Sequence, residues 1–346
     1  MDFQKIIDSG QYDFLRTNEH LGNKIILLGL GGSWAYGTAI DNNDYHSDYD
    51  YRGIYLNSID ELIGIKTDKG QICDTQTDTV IYSFKKMITL LSNCNPNTIE
   101  ILGLKPEHYI YLSDIGHELI YNAEMFLSKK AVNSFGGYAN SQLRRLDNKA
   151  IRLVNQSQRE NHILNSIKNA RYTFPEKYFY YPEDSINLYI DESPQEEYDS
   201  EIFMDVNLHH YPLRDYKAMW SEMNNIVKDY SKIGKRNSHA IEHNKLGKHM
   251  MHLVRLFYMC FDILENHEII TYRTNEHDLL MEIRNGKYLD DNHQPIPEFF
   301  ELVDELEKRL EYDKENTDLP DKPDYKRINE FVMNVNERVV RGDINA

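Results

Sequence analysis

The polar and apolar positions alternate in a way that predicts a small sheet first and helices afterwards. Residues 2–20 suggest a short opening helix, and the apolar run at 24–30 reads as a buried strand. A glycine-rich turn follows, with a helix starting over 33–38. A polar loop, Asn42 to Asp48, leads into a second strand at 50–56, and Asp78 to Tyr82 makes a third. Ser83 is placed to cap the next helix, because Phe84, Met87, Ile88 and Leu91 then recur at helical spacing. Asn95-Pro96-Asn97 breaks that helix, Thr98 to Leu104 begins another, and a mostly helical run covers about 113–170.

Between Tyr172 and Tyr216 the chain is rich in tyrosine, proline and acids without a clear period, which reads as an irregular insertion. Leu246 to Leu264 is helical by its apolar spacing. Pro297 to Tyr312 and Asp324 to Val340 read as two amphipathic helices, joined by Leu319-Pro320-Asp321-Lys322-Pro323 and expected to brace a helical domain.

Composition narrows the class. A chain of 346 residues can hold two domains. There is no apolar run of about 18 residues and no signal-peptide pattern at the start, so a cytoplasmic protein with no membrane association is expected. Cys73, Cys94 and Cys260 are far apart and lack zinc or disulfide spacing, so reduced structural thiols are expected. The net charge of −17 disfavours a long duplex substrate, which a basic surface would attract. It permits a small acceptor, a protein side chain, or an RNA end held in a local basic groove. Much of the acidity lies in the loop from Asp191 to Glu197 and along Glu298 to Glu315, a solvated loop and an exposed helix face.

The chemistry is concentrated near the first two strands. Gly31-Gly32-Ser33 follows the first, and glycine lets backbone N–H groups approach phosphate oxygens, with the start of a helix adding its positive end. Asp48 and Asp50 stand one residue apart at the start of the second. In extended chain they share a face about 7 Å apart, a spacing suited to divalent ions that sit about 3.5–4 Å from one another in two-metal sites. Magnesium is the first choice for such hard oxygen ligands. A dinucleotide fingerprint fails because Trp34 stands where the third glycine belongs, and a P-loop fails for want of Gly-Lys-Ser/Thr.

Gly32-Ser33 with Ala35-Tyr36-Gly37, followed by Ser47-Asp48-Tyr49-Asp50-Tyr51-Arg52-Gly53, resembles the DNA polymerase beta-like nucleotidyltransferases, and among them the branch tied to RNA repair. The likeness continues in Asp78 to Lys86, in Asn95-Pro96-Asn97 with Glu100-Ile101-Leu102, in Lys248 to Arg255, and in Arg284-Asn285-Gly286-Lys287-Tyr288. It implies an α/β (α+β) fold: a nucleotidyltransferase domain with a mixed sheet over residues 1–125, then a mostly helical domain over 126–346 with the irregular insertion at about 172–216.

The same resemblance implies site residues. Gly32 and Ser33 would hold the triphosphate of an NTP, taken as ATP, and Asp48 and Asp50 would bind two Mg²⁺ ions. A third carboxylate, Asp78 with Asp74 as the alternative, would bind the ion that activates the acceptor hydroxyl. Lys248, His252 and Arg255, at i, i+4 and i+7 of one helix, form a cationic stripe suited to the triphosphate and the leaving pyrophosphate. Tyr138, Gln142 and Arg145 form a second stripe that could contact the nucleotide. The acceptor implied is an RNA end, with tRNA in view. The alternatives are transfer to a small molecule, a protein or a second nucleotide, and a nucleotide sensor without catalysis.

Overall fold

A computed structural model describes residues 10–42, 46–137, 139, 161, 163–168, 174–178, 181, 185–192, 194, 200–227, 245–291 and 294–343. By contact the chain forms two units that do not follow chain order. The first takes residues 1–142, 251–283 and 298–346; the second takes 143–250 and 284–297.

The first unit is organised by a five-stranded sheet. Strand β1, Ile25–Gly31, is buried from its second residue onward, as a central strand of uninterrupted apolar character must be. It pairs antiparallel with β2, Asp50–Tyr55, and with β5, Tyr109–Leu112. On the far side of β2 lies β4, Thr79–Ser83, in a parallel pairing that makes the sheet mixed. Strand β3, Gln71–Asp74, closes the edge as a hairpin with β4. The strands β1, β2 and β4 are the ones the apolar pattern predicts. The four-residue β3 and β5 are too short to give a period.

Helices follow from local chemistry. Helix α1, Gly32–Tyr36, begins directly where β1 stops and ends at Gly37 in the left-handed conformation. Helix α2, Phe84–Leu91, is capped by Ser83, whose hydroxyl accepts from the Lys86 N–H, and buries Phe84, Met87, Ile88 and Leu91. Helix α3, Asp114–Tyr121, packs so close to β1 that a Cβ on Gly116 would lie 2.3 Å from the Ile26 carbonyl oxygen. The expected helix at 98–104 is a short turn, Pro96–Ile99, continued as a 3₁₀ segment over Glu100–Gly103.

The second unit corrects the reading of an irregular insertion at 172–216. Strands β6, Ile186–Glu192, and β7, Ser200–Val206, form an antiparallel hairpin, followed by helix α4, Leu213–Val227. Ile186 pairs with Val206, Leu188 with Met204, and Ile190 with Ile202, so the apolar positions do have period two. The surrounding acids and tyrosines masked it. Ile186 joins Ile163, Ile167, Phe174, Tyr178, Met219 and Met223 in a small core of this unit.

Helix α5, Lys245–Phe261, runs on into a π-helical turn, Asp262–Asn266, and residues 251–283 return to the first unit. The last two helices, α6 (Pro297–Asn316) and α7 (Tyr325–Arg341), depart from the expectation that they brace a helical domain. Both lie almost entirely in the first unit. Arg338 Nη1 donates to both carboxylate oxygens of Glu118 on α3 at 2.8 and 2.9 Å, and the Phe331 ring packs on Phe84 of α2. Apolar spacing identifies a buried helix face but not the surface that covers it.

Candidate active site

The register of β1 and β2 brings the two motifs together. Gly31 pairs with Asp50 and Gly29 with Arg52, so the end of the glycine turn and the start of the acidic strand are cross-strand neighbours. Gly32 has φ +59°, in the left-handed region, and a Cβ there would lie 1.8 Å from Asp50 Oδ2. Only glycine fits: both the backbone conformation and the Asp50 carboxylate exclude a side chain. Ser33 is buried in the first turn of α1. Helix α1 has five residues, so what it presents to an anion is a few N–H groups and little macrodipole.

Asp48 is exposed and Asp50 half-buried, and Asp48 precedes the strand that Asp50 opens. Their loop is held in place by Ser47. Its N–H donates to the Ile40 carbonyl at 2.8 Å, its hydroxyl accepts from the Ile40 N–H at 2.9 Å, and its carbonyl accepts from Trp34 Nε1 at 3.0 Å. Trp34, one residue past Ser33, stacks on Tyr49, between the two aspartates, with ring centroids 5.1 Å apart. The aromatic contact ties the glycine turn to the acidic segment on a second side.

Asp78 immediately precedes Thr79, which pairs with Tyr51, just as Asp50 immediately precedes Tyr51. It is exposed, with φ +47°. Asp74 lies one strand further out, and its carboxylate accepts from the N–H and the hydroxyl of Thr77 at 2.9 and 2.7 Å, closing the β3–β4 turn. Among the described residues no three histidine, cysteine, aspartate or glutamate side chains converge into a metal-ligand set. The pair Asp48 and Asp50, hard oxygen donors beside the glycine turn, fits a magnesium ion in type.

The stripe on α5 divides. Lys248 belongs to the second unit. His252 and Arg255 both reach Tyr36 at the end of α1: the His252 ring meets Tyr36 edge-on at 5.9 Å, and the Arg255 guanidinium carbon lies 3.6 Å from the Tyr36 ring centre. Arg255, only 3% exposed, faces a buried carboxylate instead of solvent, with Nη1 3.4 Å from Glu100 Oε2. Tyr36 Oη donates to both Glu100 oxygens at 3.0 Å. Burial pushes the Glu100 carboxyl up, opposed by Arg255, by the Tyr36 hydrogen bond and by Arg52. Burial likewise pushes the Tyr36 phenol up, so it stays a donor.

The downstream chain closes on this cluster. Thr271 Oγ1 donates to the Glu100 carbonyl at 2.6 Å, and the Arg273 N–H donates to the Tyr36 carbonyl at 3.0 Å. Sequence reasoning missed Glu100 and Arg52 as site residues. The available signals were a lone acid inside the apolar run from Ile99 to Leu102 and an arginine two positions past Asp50 on the same strand face. The stripe Tyr138, Gln142 and Arg145 lies outside the described residues.

A mixed sheet whose adjacent antiparallel strands carry a Gly-Ser turn and an Asp-x-Asp segment defines the polymerase-beta-like nucleotidyltransferase fold. The chain belongs to RlaP, the RNA repair pathway DNA polymerase beta family, whose profile matches residues 6–179. The match covers the sheet and the aspartates; Lys248, His252 and Arg255 lie beyond its end. No curated protein and no solved structure matches the chain. Among the described residues no helix is long and apolar enough to cross a membrane.

Proposed function

We propose that the protein transfers a nucleoside monophosphate from an NTP, taken as ATP, to an acceptor hydroxyl at an RNA end, with tRNA in view. The observation that carries this reading is the close approach of Gly32 to Asp50, which sets the glycine turn against a carboxylate that would bind the metal. The family supports both the nucleotidyltransferase class and a place in RNA repair.

In this reading the acceptor oxygen forms a bond to the α-phosphorus as the bond from that phosphorus to the bridging oxygen of pyrophosphate breaks. The hydroxyl proton leaves to a carboxylate. Asp48 and Asp50 would hold Mg²⁺, which supplies charge neutralisation on the phosphates and a lowered acceptor pKa. Gly32 and Ser33 orient the triphosphate through backbone N–H groups and the serine hydroxyl, and Asp78, just before the strand that pairs with β2, receives the proton. Asp74 is less suited, because its carboxylate is committed to Thr77. The Glu100, Arg255 and Tyr36 cluster holds α1, and with it the glycine turn, from beneath.

Pyrophosphate release tests the acceptor class. With NTP and Mg²⁺, release that depends on added RNA or trimmed tRNA, and is lost in Asp48→Ala and Asp50→Ala, supports this reading. Release that depends instead on a small molecule or a protein, or equal release by both variants, contradicts it.

A further inference from the structure

Arg255 was the arginine expected at the triphosphate, yet its charge faces Glu100 in the interior. A different arginine stands beside the aspartates. Arg52 follows Asp50 by two residues on β2, so both project from one face. Opposite them β1 offers only Gly31 and Gly29, and the Arg52 side chain lies across that bare backbone: a Cβ on Gly31 would be 3.1 Å from Arg52 Cγ. Any larger residue at 31 would displace it.

The guanidinium is fixed at one corner. Nη1 donates to the carbonyls of Tyr51 at 2.9 Å and Asp78 at 2.6 Å, neutral acceptors that orient the group without cancelling its charge. Nη2 forms an ion pair with Asp50 Oδ1 at 3.7 Å, a separation beyond hydrogen-bond length. Neither Nη2 nor Nε donates to another described residue, and the side chain is 26% exposed. An arginine anchored through one nitrogen, with a second edge open beside a carboxylate, has the planar fork oriented for two oxygens of a phosphate.

We propose that Arg52 binds the triphosphate of the nucleotide, in the role the sequence suggested for Arg255. This rests on the nucleotidyltransferase reading above. Its positive charge lets a polyanion approach a segment that already carries Asp48 and Asp50. Because Nη1 is tied to the Asp78 carbonyl, the same residue links the nucleotide to the strand of the proposed acceptor-activating carboxylate.

Titration with inorganic tripolyphosphate, in EDTA and again with Mg²⁺, tests this on the full chain, alongside KM for NTP. In Arg52→Ala the tripolyphosphate Kd and the KM should each rise about tenfold or more, as expected for loss of charge-assisted hydrogen bonds, with the EDTA titration showing the loss as well. Arg52→Gln keeps an amide donor for the two carbonyls and serves if Arg52→Ala melts early; it should lose the same affinity. Tripolyphosphate bound equally by wild type and by a folded Arg52 variant would overturn the inference and leave the functional reading standing. No binding of tripolyphosphate or NTP by the wild type would overturn both.

Discussion

The Asp50 carboxylate occupies the space that a side chain on Gly32 would need, with Oδ2 1.8 Å from the position of that Cβ. The two residues are 18 positions apart in the chain and belong to different motifs, yet a side chain at 32 and the Asp50 carboxylate would compete for one place. Strand register produces this. Gly31 pairs with Asp50, and the backbone then turns left-handed at Gly32 under the carboxylate.

Gly32→Ala should therefore damage the site more than the fold. A left-handed non-glycine residue costs roughly 1–2 kcal/mol, and the methyl group must also push Asp50 aside. A modest fall in melting temperature together with loss of nearly all NTP-dependent turnover is the expected pair of results. Full turnover in Gly32→Ala would show that Asp50 does not need its present place.

Glu100 gives a larger effect on stability. Removing one partner of a buried ion pair leaves the other charge uncompensated, at about 3–5 kcal/mol. Glu100→Gln should show a loss of this order in denaturant melts, because Arg255 stays buried beneath α1. Adding Arg255→Met should recover much of it, since an apolar side chain of similar length at 255 removes the unpaired charge. A double variant no more stable than Glu100→Gln would count against the ion pair as the cause.

A pH dependence follows from Asp313 on α6. Burial first, and the neighbouring Glu265 carboxylate second, push its carboxyl up from 3.8 to about 6. The folded state then holds this proton more tightly than the unfolded chain, so the contribution of Asp313 to stability falls as pH rises from about 4 to about 6 and is level above that. Asp313→Asn removes the dependence. The stability difference between variant and wild type should shift in favour of the variant across that window, as read from melts at several pH values; a constant difference would contradict the assignment.

Ser83 tests the local reading of α2. Its hydroxyl accepts from the Lys86 N–H and donates to Asp68 Oδ2 at 2.9 Å. Ser83→Ala should cost about 1 kcal/mol, measured by urea titration, with NTP turnover at a subsaturating concentration little changed because α2 lies away from the aspartates. An unchanged midpoint would show that the cap adds nothing.

These residues also show where sequence alone carries the argument and where it stops. The β1 run, the Gly-Ser turn, the two aspartates and the α2 cap are local patterns of the kind that strand alternation and helix spacing reveal. The short strands β3 and β5 have no such pattern, and the β6–β7 hairpin hid its alternation among acids and tyrosines. The stripe of His252 and Arg255 was legible as a helical face, and that face does meet α1. Its partner was not legible: Glu100 lies 155 residues away in the chain, and only tertiary packing shows that Arg255 answers a buried carboxylate. Arg52 was in plain view beside Asp50, but the bare glycine surface that lets it lie there depends on strand register.

The most direct test follows α-labelled ATP, with Mg²⁺ and a short RNA, in wild type and in Asp50→Asn, both first shown to be folded by circular dichroism. Label is expected in the RNA with wild type and none above background with Asp50→Asn. Equal label in the RNA with both proteins, or none with wild type while a nucleotide remains bound, would contradict it.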